Sequence, residues 1–158
     1  MELLELALSM ELDLEKFYQE QAELNKDNSL NVVFTMLAKE EKNHANILRT
    51  NADKLTLPLE DSNILFDVQP IFKNIDVLTH NLQNQLDTYR MALEKEQESL
   101  KFYQDLYANA SKEHSKKVLQ YLVNQEDKHC DILEELVNLV SRPDEWVESA
   151  EFGLREDY

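Results

Sequence analysis

Two short stretches of the sequence place a histidine three residues after a glutamate. Glu41 and His44 lie in "LAKEEKNHANIL", and Glu126 and His129 lie in "LVNQEDKHCDIL". On a helix, residues i and i+3 project to the same side, so each pair could bind one metal ion with a carboxylate and an imidazole. A single Glu-x-x-His arises easily by chance, so the surroundings of the two pairs decide their meaning.

The two pairs belong to an internal repeat with an offset of 85 residues. Glu11 and Glu96 are also repeat partners, and each lies 30 residues before the glutamate of the Glu-x-x-His in its half. Without gaps, thirteen positions are identical to their partners: Ala7, Leu8, Glu11, Lys16, Phe17, Tyr18, Gln19, Val33, Leu37, Glu41, His44, Ile47 and Leu48. The two halves are therefore copies of one unit, which consists of a helix, a short turn and a second helix.

Composition predicts that these units are helical. The chain has only one Gly and three Pro, and the long tracts between them are rich in Glu, Leu, Lys and Gln. The predicted helices span about residues 2–26, from Asn28 or Ser29 to about 55, from between 81 and 87 to about 109, and from after 111 to before Pro143. Residues 56–80 form a long connection that has room for a short helix of its own.

Two helical hairpins joined by one long crossover predict an all-α, antiparallel four-helix bundle. We place the bundle domain at residues 1–141, with repeats at about 2–56 and 87–141. Residues 142–158 form an acidic C-terminal tail, in which Trp146 is expected to anchor the segment by docking.

Each predicted helix places one glutamate in the apolar stripe that faces the bundle axis. Four buried carboxylates would repel one another, but two divalent cations would neutralise their four charges. One Glu from each of two helices and Glu-x-x-His from each of the others is a known way to bind two metals. The predicted ligands are Glu11, Glu41, His44, Glu96, Glu126 and His129. Ligands of this kind, without a thiolate, suit iron or manganese and do not exclude zinc. The alternative is a metal-free polar core held by Glu–His hydrogen bonds.

Some other side chains are weaker candidates. Tyr18 and Tyr103 follow Glu11 and Glu96 by seven residues, so their hydroxyls either hydrogen-bond a ligand carboxylate in the second coordination shell or simply pack in the core. The remaining candidates are predicted to be solvated (Glu15), at the surface (His80 and His114) or a structural thiol (Cys130).

Charge and cysteine content exclude several functions. A formal net charge of −16 argues against nucleic acid and against an anionic membrane surface as partners. One cysteine allows neither an internal disulfide nor a Cys-x-x-Cys metal site. No signal peptide or membrane span is visible, so we expect a cytoplasmic protein.

The stretches "MELDLEKFYQE", "LAKEEKNH", "LEKEQESLKFYQDL" and "QEDKH" resemble the rubrerythrin branch of the ferritin-like di-iron superfamily, over about residues 2–141. The resemblance implies iron as the metal and the six predicted ligands as the iron ligands. The ending "RPDEWVESAEFGLREDY" is similar to that of stand-alone members of this family.

Two features differ from the family pattern. The rubredoxin domain of many members, with its two Cys-x-x-Cys pairs, is missing, which implies an external electron donor such as a rubredoxin. A further glutamate that the family carries three residues after the ligand of the third bundle helix is replaced by Ser99, and its counterpart in the first half is Leu14. A site with six ligands is closer to a generic ferritin-like centre.

The leading functional hypothesis is a di-iron oxidoreductase that reduces hydrogen peroxide or dioxygen, expected as a homodimer. One alternative is a ferroxidase or iron-handling protein of the ferritin type. The other is a non-catalytic metal-binding bundle that acts by binding a partner.

Overall fold

The computed structural model describes residues 2–51 and 59–156. Its helices are α1 (Glu2–Leu24), α2 (Leu30–Asn51), α3 (Ile64–Asn74), α4 (Leu86–Asn109) and α5 (Glu113–Glu156), with a 3₁₀ turn at Leu82–Gln85. No strand occurs in these two ranges, which confirms the all-α prediction. None of the described helices combines the length and the apolar character that crossing a membrane would need.

The four long helices pair as two hairpins, as the repeat predicts. α1 packs along α2 and α4 packs along α5, and further contacts join α1 to α4 and α2 to α5. The short helix α3 belongs to the crossover and packs against α5 and α2. The architecture is therefore an antiparallel four-helix bundle with the crossover helix α3 packed against one side.

The turn between α1 and α2 is held by asparagine side chains. Asn28 caps the start of α2, because its Oδ1 accepts a hydrogen bond of 2.9 Å from the backbone N–H of Leu30. The Nδ2 of Asn31 donates to the backbone oxygen of Ala22 at 2.8 Å, which ties the second helix to the end of the first. These bonds confirm the predicted start of the second helix and set the register of the hairpin.

The predicted ends of two helices have different outcomes. The end of the second helix near residue 55 lies outside the described residues. The end of the fourth helix before Pro143 is wrong, because α5 continues to Glu156. Proline removes one backbone hydrogen bond and tends to kink a helix, but the helical bonds before and after it can still form. The division into a bundle domain and a tail stays a prediction, and the side chains of residues 142–158, including Trp146, lie outside what is described.

The buried core has two apolar parts, one on each side of a polar layer. The larger part includes Tyr18, Leu30, Phe34, Leu37, Tyr89, Ile132 and Leu136, together with residues of α3. The smaller part includes Ala7, Ile47, Leu48, Tyr103, Val118 and Leu122. Along each of the four long helices, the buried acidic residue lies between these two parts. The polar layer is thus covered by packed apolar side chains at both of its ends along the bundle axis.

Candidate metal centre

The structure brings all six predicted ligands into one buried cluster in the polar layer. They come from all four long helices and are Glu11 (α1), Glu41 and His44 (α2), Glu96 (α4), and Glu126 and His129 (α5). Each residue exposes 1% of its surface or less. Charged residues are almost never buried to this degree unless something compensates their charge.

The six residues form two overlapping groups, each of which could hold a metal ion. The first group is Glu11, Glu41, His44 and Glu126, and the second is Glu41, Glu96, Glu126 and His129. Within each group, one oxygen or nitrogen atom of every residue lies within 4.8 Å of the others. Glu41 and Glu126 belong to both groups, so these two carboxylates would be shared by two bound ions. Glu11 and Glu96 each complete one group.

Both imidazoles direct the same ring nitrogen into the cluster. His44 Nδ1 lies 3.2 Å from Glu11 Oε2 and 3.4 Å from Glu126 Oε1. His129 Nδ1 lies 2.7 Å from Glu41 Oε1. The two rings stack with their centroids 5.4 Å apart. The repeat therefore places two equivalent nitrogen donors side by side, one for each group.

Two buried tyrosines hold the carboxylates that are not shared. Tyr18 donates its hydroxyl hydrogen to Glu96 Oε2 at 2.6 Å, and Tyr103 donates to Glu11 Oε1 at 3.0 Å. Burial and the nearby carboxylates, Glu96 first among them, raise the pKa of Tyr18 well above its ordinary value, so its hydroxyl stays a donor. Each tyrosine supports the glutamate of the opposite half. Of the two roles that the sequence left open, these bonds favour support of the carboxylates.

Burial and mutual repulsion shift the pKa values of the clustered carboxylates. Burial and the charges of Glu11 and Glu126 raise the pKa of Glu41 well above its ordinary value. Burial and the charge of Glu126 raise the pKa of Glu96 to about 7. Burial, the largest single influence, would also raise the pKa of Glu11, but the charge of His44 and the hydrogen bonds of its neighbours together outweigh burial and the net pKa is lowered.

Burial shifts the pKa of an imidazole in the opposite direction from that of a carboxylate. Burial would lower the pKa of His44, but the charges and hydrogen bonds of Glu11 and Glu126 together outweigh burial and raise that pKa to about 9. Burial would also lower the pKa of His129, but the carboxylates of Glu96, Glu41 and Glu40 together outweigh burial and raise it well above its ordinary value. In the metal-free protein, protonated imidazoles therefore offset part of the negative charge of the cluster, and protonation of carboxylates removes another part.

Unpartnered oxygen atoms favour a metal centre over a metal-free polar core. Glu41 Oε2, Glu96 Oε1 and both side-chain oxygens of Glu126 are buried without a hydrogen-bond partner. Each such atom costs about 1–3 kcal/mol when it is left unsatisfied. Glu–His hydrogen bonds alone do not satisfy these atoms, whereas two cations between the shared carboxylates would. Since the donors are oxygen and nitrogen only, the set fits iron or manganese.

Glu40 is a functional candidate that the sequence reasoning missed. Its Oε1 lies 2.7 Å from His129 Nε2, the ring nitrogen that points away from the cluster. The hydroxyl of Ser62 donates to its Oε2. Burial would raise the pKa of Glu40, but the hydrogen bond and charge of His129, together with the hydrogen bond of Ser62 and the charge of His44, outweigh burial and lower it. Comparison of the two halves could not find Glu40, because its repeat partner is Gln125.

The remaining candidates lie outside the cluster. Glu15 accepts a hydrogen bond from Gln19 at 3.1 Å, and His80 is exposed as predicted. Cys130 is a buried thiol, and burial raises its pKa to about 12, which suits a structural role. His114 differs from the surface prediction, because it is half-buried and its Nε2 is buried without a hydrogen-bond partner.

The two positions that follow Glu96 and Glu11 by three residues are both buried. Ser99 is fully buried and Leu14 is 3% exposed. The hydroxyl of Ser99 has no hydrogen-bond partner, and neither residue belongs to a metal-binding group. Neither position therefore supplies a seventh donor to the cluster.

Comparison with known proteins gives one family match. The model of the family described as Rubrerythrin matches residues 2–137, a range that includes all six clustered residues. No curated protein and no solved structure matches the chain.

Proposed function

The chain belongs to the rubrerythrin family, and on this premise we propose that it is a di-iron oxidoreductase that reduces hydrogen peroxide or dioxygen. The observation that carries the proposal is the pair of buried groups sharing Glu41 and Glu126. Two ions held by common carboxylates lie close enough to act on one small molecule together.

The bound iron would supply the redox chemistry, as two ferrous ions that deliver one electron each. The protein would supply geometry and a dry environment. Glu11 and Glu96 are fixed by tyrosine hydroxyls, and the imidazoles are fixed by stacking, so the donors are arranged before metal binds. Preorganisation of this kind lowers the reorganisation needed during a redox cycle.

The electrons would come from a separate protein, such as a rubredoxin. Within these 158 residues there is one cysteine, so they cannot form a rubredoxin-type site with four cysteine ligands. The homodimer and the cytoplasmic location stay predictions.

The test begins with anaerobic loading of the metal-free protein with Fe²⁺ and a count of bound iron. Two ions per chain are expected, and each hydrogen peroxide should oxidise both and yield two water molecules after uptake of two protons. Replacing Glu126 with Ala removes a ligand from both groups and should abolish turnover with peroxide and a chemical reductant. Glu98→Gln is the matched control, because Glu98 is an exposed glutamate of α4. Peroxide turnover in Glu126→Ala equal to that of the control would refute the proposal.

A further inference from the structure

A cleft of about 530 Å³ opens next to the metal centre. It lies between α2, the connection around residues 60–64, and α5. His44 and Glu40 are among its lining residues. The cleft therefore reaches from the surface to one proposed metal ligand and to the carboxylate that contacts another.

The wall that the connection contributes is fixed by hydrogen bonds to α5. Tyr121 donates its hydroxyl hydrogen to the backbone oxygen of Glu60 at 2.6 Å. Lys128 Nζ donates to the backbone oxygen of Ser62 at 3.0 Å and forms an ion pair with Asp61. The cleft is thus held in shape by side chains of α5.

The lining of the cleft is acidic. Its carboxylates are those of Glu40, Glu60, Asp61 and Asp67, against the single ammonium group of Lys39. Even when the ion pair of Asp61 is discounted, negative charge exceeds positive charge. A concave acidic surface concentrates cations and speeds their association.

Two residues that line the cleft, Glu40 and His44, form a third potential metal-binding group with His129, which is buried directly behind Glu40. Glu40, His44 and His129 each offer a donor atom within 4.8 Å of the others. The imidazoles are buried, with side chains 1% and 0% exposed, whereas the side chain of Glu40 is 22% exposed. Glu40 is therefore in contact with both solvent and a residue of the buried centre.

We propose that Glu40 binds a divalent transition-metal ion transiently at the floor of this cleft, with His129 Nε2 as a second donor, and passes it to the centre. The inference rests on the dinuclear centre of the proposed function. This outer position would give metal ions a route to ligands that are otherwise enclosed by the bundle core.

The outer ion and a filled centre exclude each other for a chemical reason. A neutral imidazole offers one lone pair, because its other nitrogen carries a hydrogen. When His129 Nδ1 binds an ion in the centre, Nε2 carries the hydrogen and donates it to Glu40. The outer position can use Nε2 only before the centre fills and after Nε2 has lost its hydrogen to solvent, so the saturated protein should hold two ions and not three.

The experiment measures loading of the metal-free full-length chain with Co²⁺ in an anaerobic stopped-flow instrument, followed by titration to the end point. Glu40→Gln keeps an oxygen that can accept the hydrogen of His129 Nε2 but removes the charge. We expect about a tenfold slower loading rate in Glu40→Gln. The end point should stay at two Co²⁺ with an unchanged spectrum. Glu98→Gln, which removes an exposed charge from α4, should load at the wild-type rate.

A second variant separates charge from folding defects. Glu40→Asp keeps the charge in the cleft on a shorter side chain, so it should load faster than Glu40→Gln. Loading of Glu40→Asp as slow as that of Glu40→Gln, or wild-type loading by Glu40→Gln, would overturn the transit site alone. An end point of one Co²⁺ in Glu40→Gln would also overturn it, because Glu40 would then be part of the centre. Failure of the wild-type chain to bind two Co²⁺ would overturn the centre and the transit site together.

Discussion

Replacing Glu96 with Gln should stabilise the metal-free protein and weaken the metal-loaded protein. Burial and the charge of Glu126 raise the pKa of Glu96 from 4.5 to about 7 in the folded chain. The folded state then holds this proton more tightly than the unfolded state does. The ionised carboxylate therefore destabilises the fold progressively as pH rises from 4.5 through 7. A pKa difference of about 2.5 corresponds to about 3 kcal/mol once pH exceeds the folded value.

Urea unfolding of the metal-free protein, followed by far-ultraviolet circular dichroism, measures this effect. At pH 8 the Glu96→Gln variant should be more stable than wild type by about 3 kcal/mol, and at pH 5 the difference should shrink to about 1 kcal/mol. The amide oxygen can still accept the hydrogen bond of Tyr18. Glu98→Gln lowers the net negative charge by the same amount at an exposed position, so it should change stability by less than about 0.5 kcal/mol at both pH values.

Metal should reverse the order of stability at pH 8. Wild type gains free energy from binding two ions, whereas Glu96→Gln lacks a charged ligand in one group and gains less. The reasoning is refuted if the metal-free variant is less stable than metal-free wild type at pH 8. That result would mean that the ionised carboxylate of Glu96 does not destabilise the metal-free fold.

Three further predictions follow from the same contacts. Metal binding should release protons and strengthen from pH 6 to pH 8, because most carboxyl groups and imidazoles of the centre have raised pKa values and must lose protons to bind metal. Calorimetry in two buffers of different ionisation enthalpy measures this proton release. Equal heats of binding in the two buffers would contradict the prediction. Tyr103→Phe removes the hydrogen bond to Glu11 and should lower metal affinity about tenfold in a Co²⁺ titration. Tyr107→Phe, at a 37% exposed position of the same helix, should leave that affinity unchanged. Asn28→Ala removes the cap at Leu30 and should reduce the free energy of unfolding by about 1 kcal/mol in urea, and no loss would show that the cap is dispensable.

The sequence predicted most of the fold because helix formation depends on local signals. The third bundle helix was expected to start between residues 81 and 87 and to end near 109, and α4 spans Leu86–Asn109. The expected end before Pro143 was wrong because a proline weakens a helix without having to terminate it.

The composition of the candidate site could be predicted because a helix has a fixed period and the repeat occurs twice. Given the positions of Glu11 and Glu41 within one unit, the offset of 85 residues places Glu96 and Glu126 in the other. Four carboxylates on four inward faces must meet near the bundle axis. This conclusion follows from helical periodicity and the repeat, without any observed contact between two side chains.

Tertiary structure alone decided which partners these residues have. Only the packed bundle shows that Glu41 and Glu126 are the shared carboxylates and that Tyr18 reaches Glu96 in the other half. Comparison of the halves also hides asymmetry, so the contact of Glu40 with His129 had no signal in the repeat. The sequence by itself determined which side chains face the axis, because that depends on helical periodicity within one segment. Their pairing depends on how segments far apart in the chain pack against each other, which local periodicity does not encode.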